Sequence, residues 1–494
     1  MPAAVLGVDI GTTSAKAVAF DADGATLGDG EAGYPLLEPE PGQAVQDPEA
    51  VLEGVGEAVR AAVAGTRGEI AGVAFSSAMH GLLALDADER PLTPLVTWAD
   101  RRAAEQADRL RAEHFELHGA TGTPLHPMAP LAKLCWFAER EPETFAAAHR
   151  WVGLKELLLA RWAGDWVIDH SCASGTGLFD LNRLDWHESA LAVAGVRREQ
   201  LSRPVPATHA LPLGAEAAGR LGLAPGTPLV AGGGDGPLAN LGLGAVRPGV
   251  AACSIGTSGA LRVVVEHPVT DALGRVFCYA LTPGHWVIGG AINNGGVVLE
   301  WAGEALAPDL GAHAEEALLA LAAEVPPGSD GLLMLPYLLS ERAPHWSTVA
   351  RGAYVGLTRA HKRAHLVRAA VEGVCQQLAI VLASVRDAGH DITELRATGG
   401  FARSDAWQQM LADVLGTDVG FAAGHEGSAF GAALLGMEAL GLVDSIERAA
   451  ELVQIDHVRR PEPSAAKVYA RQRETFAALY DALEPSFRAL GSPP

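Results

Sequence analysis

The chain has 494 residues, 49% of them hydrophobic, which is too long for one core and suits two large domains. Its 59 acidic and 37 basic residues leave a net charge of −22, which excludes nucleic acid as the main partner and leaves any anion to be held by turns, helix N-termini and a divalent cation. No run approaches the roughly 20 apolar residues that span a membrane, Met1-Pro2 leads into a strand with no basic region before it, and the five scattered cysteines contain no CxxC pair. These features predict a cytoplasmic chain without anchor, disulfide framework or zinc site.

In chain order, Val5–Ile10 reads as a strand, Gly11–Ser14 as a tight turn and Ala15–Phe20 as the returning strand, with another turn at Asp21–Gly24. Asp47-Pro48 opens a helix that runs to about Gly65, with proline at the first helical position. Ile70–Ser76 is a strand ending at Ser77–Gly81, and a short strand, Leu82–Asp86, follows. The stretch from Ala103 to Gly164 reads as helical and Trp-rich. Leu229–Gly234 is a strand running into the cluster Gly232–Gly236, and the Gly-rich stretch Gly242–Gly249 marks a boundary between domains 1–245 and 246–494. The second domain opens with the strand Val250–Ile255, and a helix runs from about Ala364 to Ala388. Strands that pair as neighbours and then feed helices predict an α/β fold with mixed sheets.

One short pattern occurs twice. Asp9-Ile10-Gly11-Thr12-Thr13-Ser14-Ala15-Lys16 is echoed by Ser254-Ile255-Gly256-Thr257-Ser258-Gly259-Ala260. Each is a β-rich run entering a turn of glycine and small hydroxyl residues, where backbone N–H groups can approach a phosphate unobstructed. Such residues are also ordinary turn formers, but the repetition favours two similar lobes with a nucleotide between them. Only the first copy carries an acid, Asp9, and a carboxylate that faces phosphates usually does so through a metal ion. Neither turn has the Walker A or the dinucleotide spacing.

Asp9-x-Gly11-Thr12-Thr13-Ser14-x-Lys16 resembles the opening of the FGGY carbohydrate kinases, within the actin-like ATPase superfamily. Met128–Glu139 resembles that family's first signature, and Gly352–Leu357 with His365–Glu372 its second; Arg140 departs from the residue usual after the first. The resemblance runs along nearly the whole chain. It implies two actin-like (ribonuclease H-like) lobes with an interdomain cleft, the sugar on the first and the nucleotide on the second, and an ATP- and Mg²⁺-dependent kinase. It implies Asp235, in Gly234-Asp235-Gly236-Pro237, as catalytic base, and Asp9 with Asp235 at the metal. It places the nucleotide at Gly11, Thr12, Thr13, Ser14 and Lys16, at Gly256 and Thr257, at Gly296 and Glu300, and at Gly399, Gly400, Phe401 and Ser404.

The same resemblance places a polyol at Met79, His80, Trp98, Asp100, Lys155, Asp235 and Gly236. Polyols need paired donors and acceptors beside an aromatic face, and these segments offer both. Thr121–Met128, Val152–Glu156, Asp169–Ser171 and Ser340–Trp346 resemble the gluconate-phosphorylating branch, so D-gluconate is the expected substrate, with D-xylulose second. A gluconate site needs a cation or several N–H donors for the carboxylate. Lys155 and Arg342 are candidates, and structural ion pairs would account for both equally well. His361 and His365, spaced i, i+4, lack the glutamate of a zinc motif and read as capping residues. An actin- or chaperone-like ATPase would share the first turn but has no need of Asp235 or of Ser77–Gly81. A homodimer is compatible with the sequence.

Overall fold

A computed structural model describes residues 3–311, 315–422 and 427–491. Its frame is two mixed sheets of related topology. In the first, β1 (Ala3–Ile10), β2 (Ser14–Phe20) and β3 (Thr26–Gly33) form an antiparallel meander. Helix α1 (Pro48–Gly65) then crosses to β4 (Glu69–Ser77), parallel to β1. Asp47 caps α1 by accepting the Glu49 N–H at 3.0 Å, and Val51, Val55, Ala58, Val59 and Ala62 bury one stripe of the helix. Far along the chain, β5 (Ala210–Pro212) and β6 (Pro228–Gly234) complete the order β5-β6-β4-β1-β2-β3.

β6 ends in α2 (Asp235–Gly242), so Asp235 is the first residue of a helix rather than part of a free turn. The second sheet begins at once with the hairpin of β7 (Val250–Ile255) and β8 (Gly259–Val265), then β9 (Phe277–Thr282) and β10 (His285–Ile292). Helices α3 (Val297–Leu306) and α4 (Arg363–Asp387) precede β11 (Glu394–Thr398), which runs parallel to β7 as β4 does to β1. Helix α5 (Asp405–Leu415) leads to β12 (Val419–Ala422), then come α6 (Gly427–Ala439) and β13 (Ile455–Arg459). The order is β9-β10-β8-β7-β11-β12-β13. The repeated turn therefore occupies the same place in both sheets, at the end of a central strand with a parallel neighbour.

The two copies differ by one residue. Ile10 pairs with Ala15 and the Gly11 N–H donates to Ser14 O, whereas Ile255 pairs with Gly259 and the Gly256 N–H donates to Ser258 O.

Helix α6 belongs by sequence to the second half but packs on β1 and β4 of the first sheet, beside α2. Glycines permit the approach: a Cβ on Gly7 would lie 2.0 Å from Ala429 O, and one on Gly242 would lie 1.9 Å from Gly427 O. The two lobes thus meet along the α2/α6 pair.

Two local expectations change. Residues 103–164 hold short helices interrupted by a strand, Arg150–Val152, which pairs with Leu83–Leu85 outside the main sheet. Phe137 and Trp151 of that stretch share a separate core with Phe179 and Trp186 farther along the chain. Helix α4 is long and apolar enough to span a bilayer, but 83% of its most apolar window is buried inside the second lobe.

Candidate active site

Asp9 stands at the end of β1, in register with Ser76 on β4 and Lys16 on β2. The Ser76 hydroxyl donates to its Oδ1 at 2.7 Å. Burial pushes the Asp9 carboxyl up, against the opposing pull of Ser76, Ser428 of α6 and the Lys16 ammonium. Asp235 is lifted to about 6, first by burial and then by repulsion from Asp9, while Arg262 and Arg342 pull the other way. Its Oδ1 accepts the Gly236 N–H at 2.7 Å. The two acids therefore share one electrostatic environment, although 226 positions separate them in the chain.

Asp235 and Gly236 line a cavity of about 280 Å³ between the lobes. The first lobe contributes Thr12, Met79, His80 and Trp98; the second contributes the Gly256 turn, Arg262, Tyr279 and Arg342. His80 holds a left-handed backbone, φ 68°, a conformation rare for a residue with a Cβ. Its Nδ1 donates to Gly175 O at 2.7 Å, and burial keeps the ring neutral by lowering its pKa to about 3. Trp98 donates its indole N–H to Thr12 Oγ1 at 2.9 Å, tying the aromatic wall to the first phosphate-like turn.

One buried cation orders this wall. Lys133 Nζ donates to the carbonyl oxygens of His80, Val96 and Thr97 at 2.6, 3.1 and 2.7 Å. Burial pulls its pKa down to about 7, but three acceptors match the three protons of the ammonium. Lys133 lies in the first signature segment, where the sequence alone gave it no role.

Two expected sugar contacts are committed elsewhere. Asp100 is buried, and its carboxylate accepts the Ala44 N–H at 2.9 Å and two N–H groups of Arg102. It holds the loop that carries Trp98 and does not line the cavity. Lys155 pairs with Asp169 at 2.7 Å and donates to Gly233 O at 2.9 Å. Burial would lower the Lys155 pKa; Asp169 and Cys172 together outweigh it, and the net direction is up. Lys155 faces a small side pocket behind Met79 and His80 instead of the main cavity.

Beyond the Gly256 turn lies a pocket of about 850 Å³ in the second lobe. Gly256, Thr257, Gly296, Glu300, Gly400 and Phe401 line it, so six of the expected nucleotide residues come together. Gly295 and Gly296 donate to Thr257 O and Gly256 O at 3.0 and 2.7 Å, which welds the turn to the start of α3. Gly399, φ 119°, backs onto Ile255 O and supports the turn from behind. Ser404 caps α5 by accepting the Trp407 N–H at 3.3 Å and is not part of the lining. Leu299, Arg403 and Trp407 line the pocket without having been expected. In the first turn, Gly11 and Thr12 border the cavity region, Thr13 O accepts the Tyr34 N–H, and Ser14 closes the hairpin. Lys16 sits on β2 beside Asp9, whose carboxylate its charge stabilises.

Among the described residues no cluster of three or more His, Cys, Asp or Glu could enclose a metal. Asp9 and Asp235, which act on each other electrostatically, are oxygen donors of the kind that suits Mg²⁺, which keeps waters and takes one or two carboxylates together with substrate phosphates. His361 and His365 accept the N–H groups of Thr358 and Lys362, at 2.9 and 3.2 Å, as local caps.

Sequence reasoning missed Arg262, Tyr279 and Ser76. A visible signal existed for Arg262: it is the one charge within the apolar run Ala260-Leu261-Arg262-Val263-Val264-Val265.

Comparison with known proteins agrees with this architecture. Residues 4–242 match the N-terminal domain, and residues 251–440 the C-terminal domain, of the FGGY family of carbohydrate kinases. A gluconokinase of Bacillus subtilis is 41% identical over 502 aligned positions, covering 99% of this chain and 97% of that protein. Among solved structures, the gluconate kinase from Lactobacillus acidophilus superposes with a TM-score of 0.96 at 32% identity, covering 99% of this chain and 100% of that one. The ligand-bound xylulose kinase from the same organism gives 0.95 at 33% identity, with the same coverage of both chains. The chain belongs to the FGGY family of carbohydrate kinases, enzymes that use ATP to phosphorylate a sugar.

Proposed function

We propose that the protein transfers the γ-phosphoryl group of ATP to the terminal hydroxyl of D-gluconate, giving 6-phosphogluconate. The observation that carries the reaction type is Asp235: a carboxylate that lines the inter-lobe cavity, lifted to about 6 by burial and by the charge of Asp9. The 41% identity to a gluconokinase over nearly the full length supports the substrate.

In this reading residues 1–245 bind the sugar and supply the base, and residues 246–494 bind the nucleotide. Met79, His80 and Trp98 hold the acceptor, with the neutral His80 ring presenting Nε2 to a hydroxyl. The Gly256–Thr257 turn meets the β- and γ-phosphates between the two pockets it borders. Asp235 accepts the proton of the attacking hydroxyl, a contribution of about 10²–10⁴-fold. Asp9 and Asp235 would hold Mg²⁺, which neutralises phosphate charge when bound. Closure of the lobes excludes water, so that the sugar hydroxyl takes the phosphoryl group.

D-Xylulose is the second reading, supported by the similarity to a ligand-bound xylulose kinase. An ADP-release assay with ATP and Mg²⁺ across gluconate, xylulose, ribulose and glycerol separates them. Gluconate is expected to give the highest kcat/KM. Preference for xylulose would move the substrate to the second reading, and sugar-independent ADP release would point to an ATPase.

A further inference from the structure

The cavity is lined by a cation that forms no salt bridge among the described residues. Arg342 reaches it from the second lobe, in the loop after Glu341. Its guanidinium lies over the Trp98 ring of the first lobe, 4.9 Å from the centroid. One Nη donates to Ile292 O at 3.2 Å, while Nε is sealed from solvent with no hydrogen-bond partner. The neighbouring Glu341 carboxylate acts on it through space but forms no salt bridge with the guanidinium, since it accepts the N–H of Asn293, the amide of Asn294 and the backbone N–H of Arg342. Among the described residues no acid lies within ion-pair distance of the Arg342 side chain. The half-buried guanidinium faces the cavity with its Nε unsatisfied and no salt bridge, and an anionic ligand group would supply both a hydrogen-bond acceptor and a counter-charge.

Position separates the anion it serves from ATP. Arg342 shares its cavity with Met79, His80 and Trp98 and does not line the nucleotide pocket. The other arginine, Arg262, lies against the base: a Cβ on Gly236 would stand 3.2 Å from its Nε, and it lowers the Asp235 carboxyl more than Arg342 does. Arg262 thus occupies the reacting end. Arg342 stands towards His80 and His126, and its charge acts on both rings.

We infer that Arg342 binds the carboxylate of the substrate and so selects an aldonic acid over neutral polyols and ketoses of similar length. The inference rests on the gluconate reading. It also makes specificity depend on closure, since the cation comes from one lobe and the hydroxyl-binding wall from the other.

The test compares D-gluconate with D-gluconamide, the same chain without the charge, on wild type, Arg342→Gln and Arg342→Lys. Wild type should favour the acid by about 10²–10³-fold in kcat/KM, as expected for a buried, hydrogen-bonded charge pair. Arg342→Gln should reduce that ratio to less than about tenfold, chiefly through KM for gluconate, with KM for ATP little changed. Arg342→Lys, which keeps the charge but not the fork, should fall between. Wild type that treats acid and amide alike would overturn the inference even if Arg342→Gln fails to fold. So would a folded Arg342→Gln that keeps the full ratio. Wild type that uses xylulose and ignores gluconate would instead overturn the substrate reading, and this inference with it.

Discussion

Asp235 and Asp9 are both acids close to glycines in the sequence, and the proposed function gives them different tasks. Asp235 is lifted to about 6, so its deprotonated fraction, the form able to accept a proton, grows as pH rises through that value. The acid limb of kcat/KM for gluconate should therefore fall near pH 6, and Asp235→Asn should cost about 10²–10⁴-fold in kcat while equilibrium titration still detects ATP binding. Near-wild-type turnover would remove Asp235 from the base role. Asp9→Asn should raise the Mg²⁺ concentration needed for half-maximal activity or abolish activity; an unchanged Mg²⁺ dependence would count against its place at the metal. At this scale the sequence was readable where a residue's partners are local, and misleading where they are distant. Asp100 and Lys155 stand beside expected pocket residues, but Ala44 and Asp169 claim them from 56 and 14 positions away.

Elements carry the wall that these residues use. The strands β1, β2 and β7 were legible because each is a mostly apolar run next to the glycine-containing turn. β3, Thr26–Gly33, was not: it is a polar, Gly-rich edge strand, and its strand geometry comes from pairing with β2. Nothing local announced that α6 would cross to the first sheet, since that depends on close contacts with β1 and α2. Gly7→Ala tests this packing. Its Cβ would overlap Ala429 O, so a loss of about 1–3 kcal/mol in urea unfolding is expected, together with reduced activity through displaced Asp9. Unchanged stability would mean that α6 yields freely. Lys133→Met strands three carbonyl acceptors and should raise KM for the sugar well above its effect on KM for ATP, because it frees His80 and Trp98 while leaving the second lobe intact. Equal effects on both would make Lys133 a general stabiliser only.

Across the whole molecule, each phosphate-like turn sits at the corresponding corner of its own sheet, and the cavity they border is completed by side chains from both lobes. Arg111 of the first lobe already donates to Trp346 O of the second, and Trp346 lines that cavity. Gluconate and a non-hydrolysable ATP analogue together should reduce the radius of gyration in solution scattering, and an unchanged value would contradict closure. The two-lobe plan was legible from the repeated turn and the division of labour from the family resemblance, but not which pockets each turn borders. The first copy adjoins the sugar wall through Thr12 and Trp98, whereas the second borders both pockets through Gly256. The most direct test of the central claim is product identification by ³¹P and ¹H NMR after incubation with ATP, Mg²⁺ and D-gluconate. A phosphate ester coupled to the C6 protons is predicted. Inorganic phosphate appearing at the same rate with or without sugar, and no ester, would contradict it.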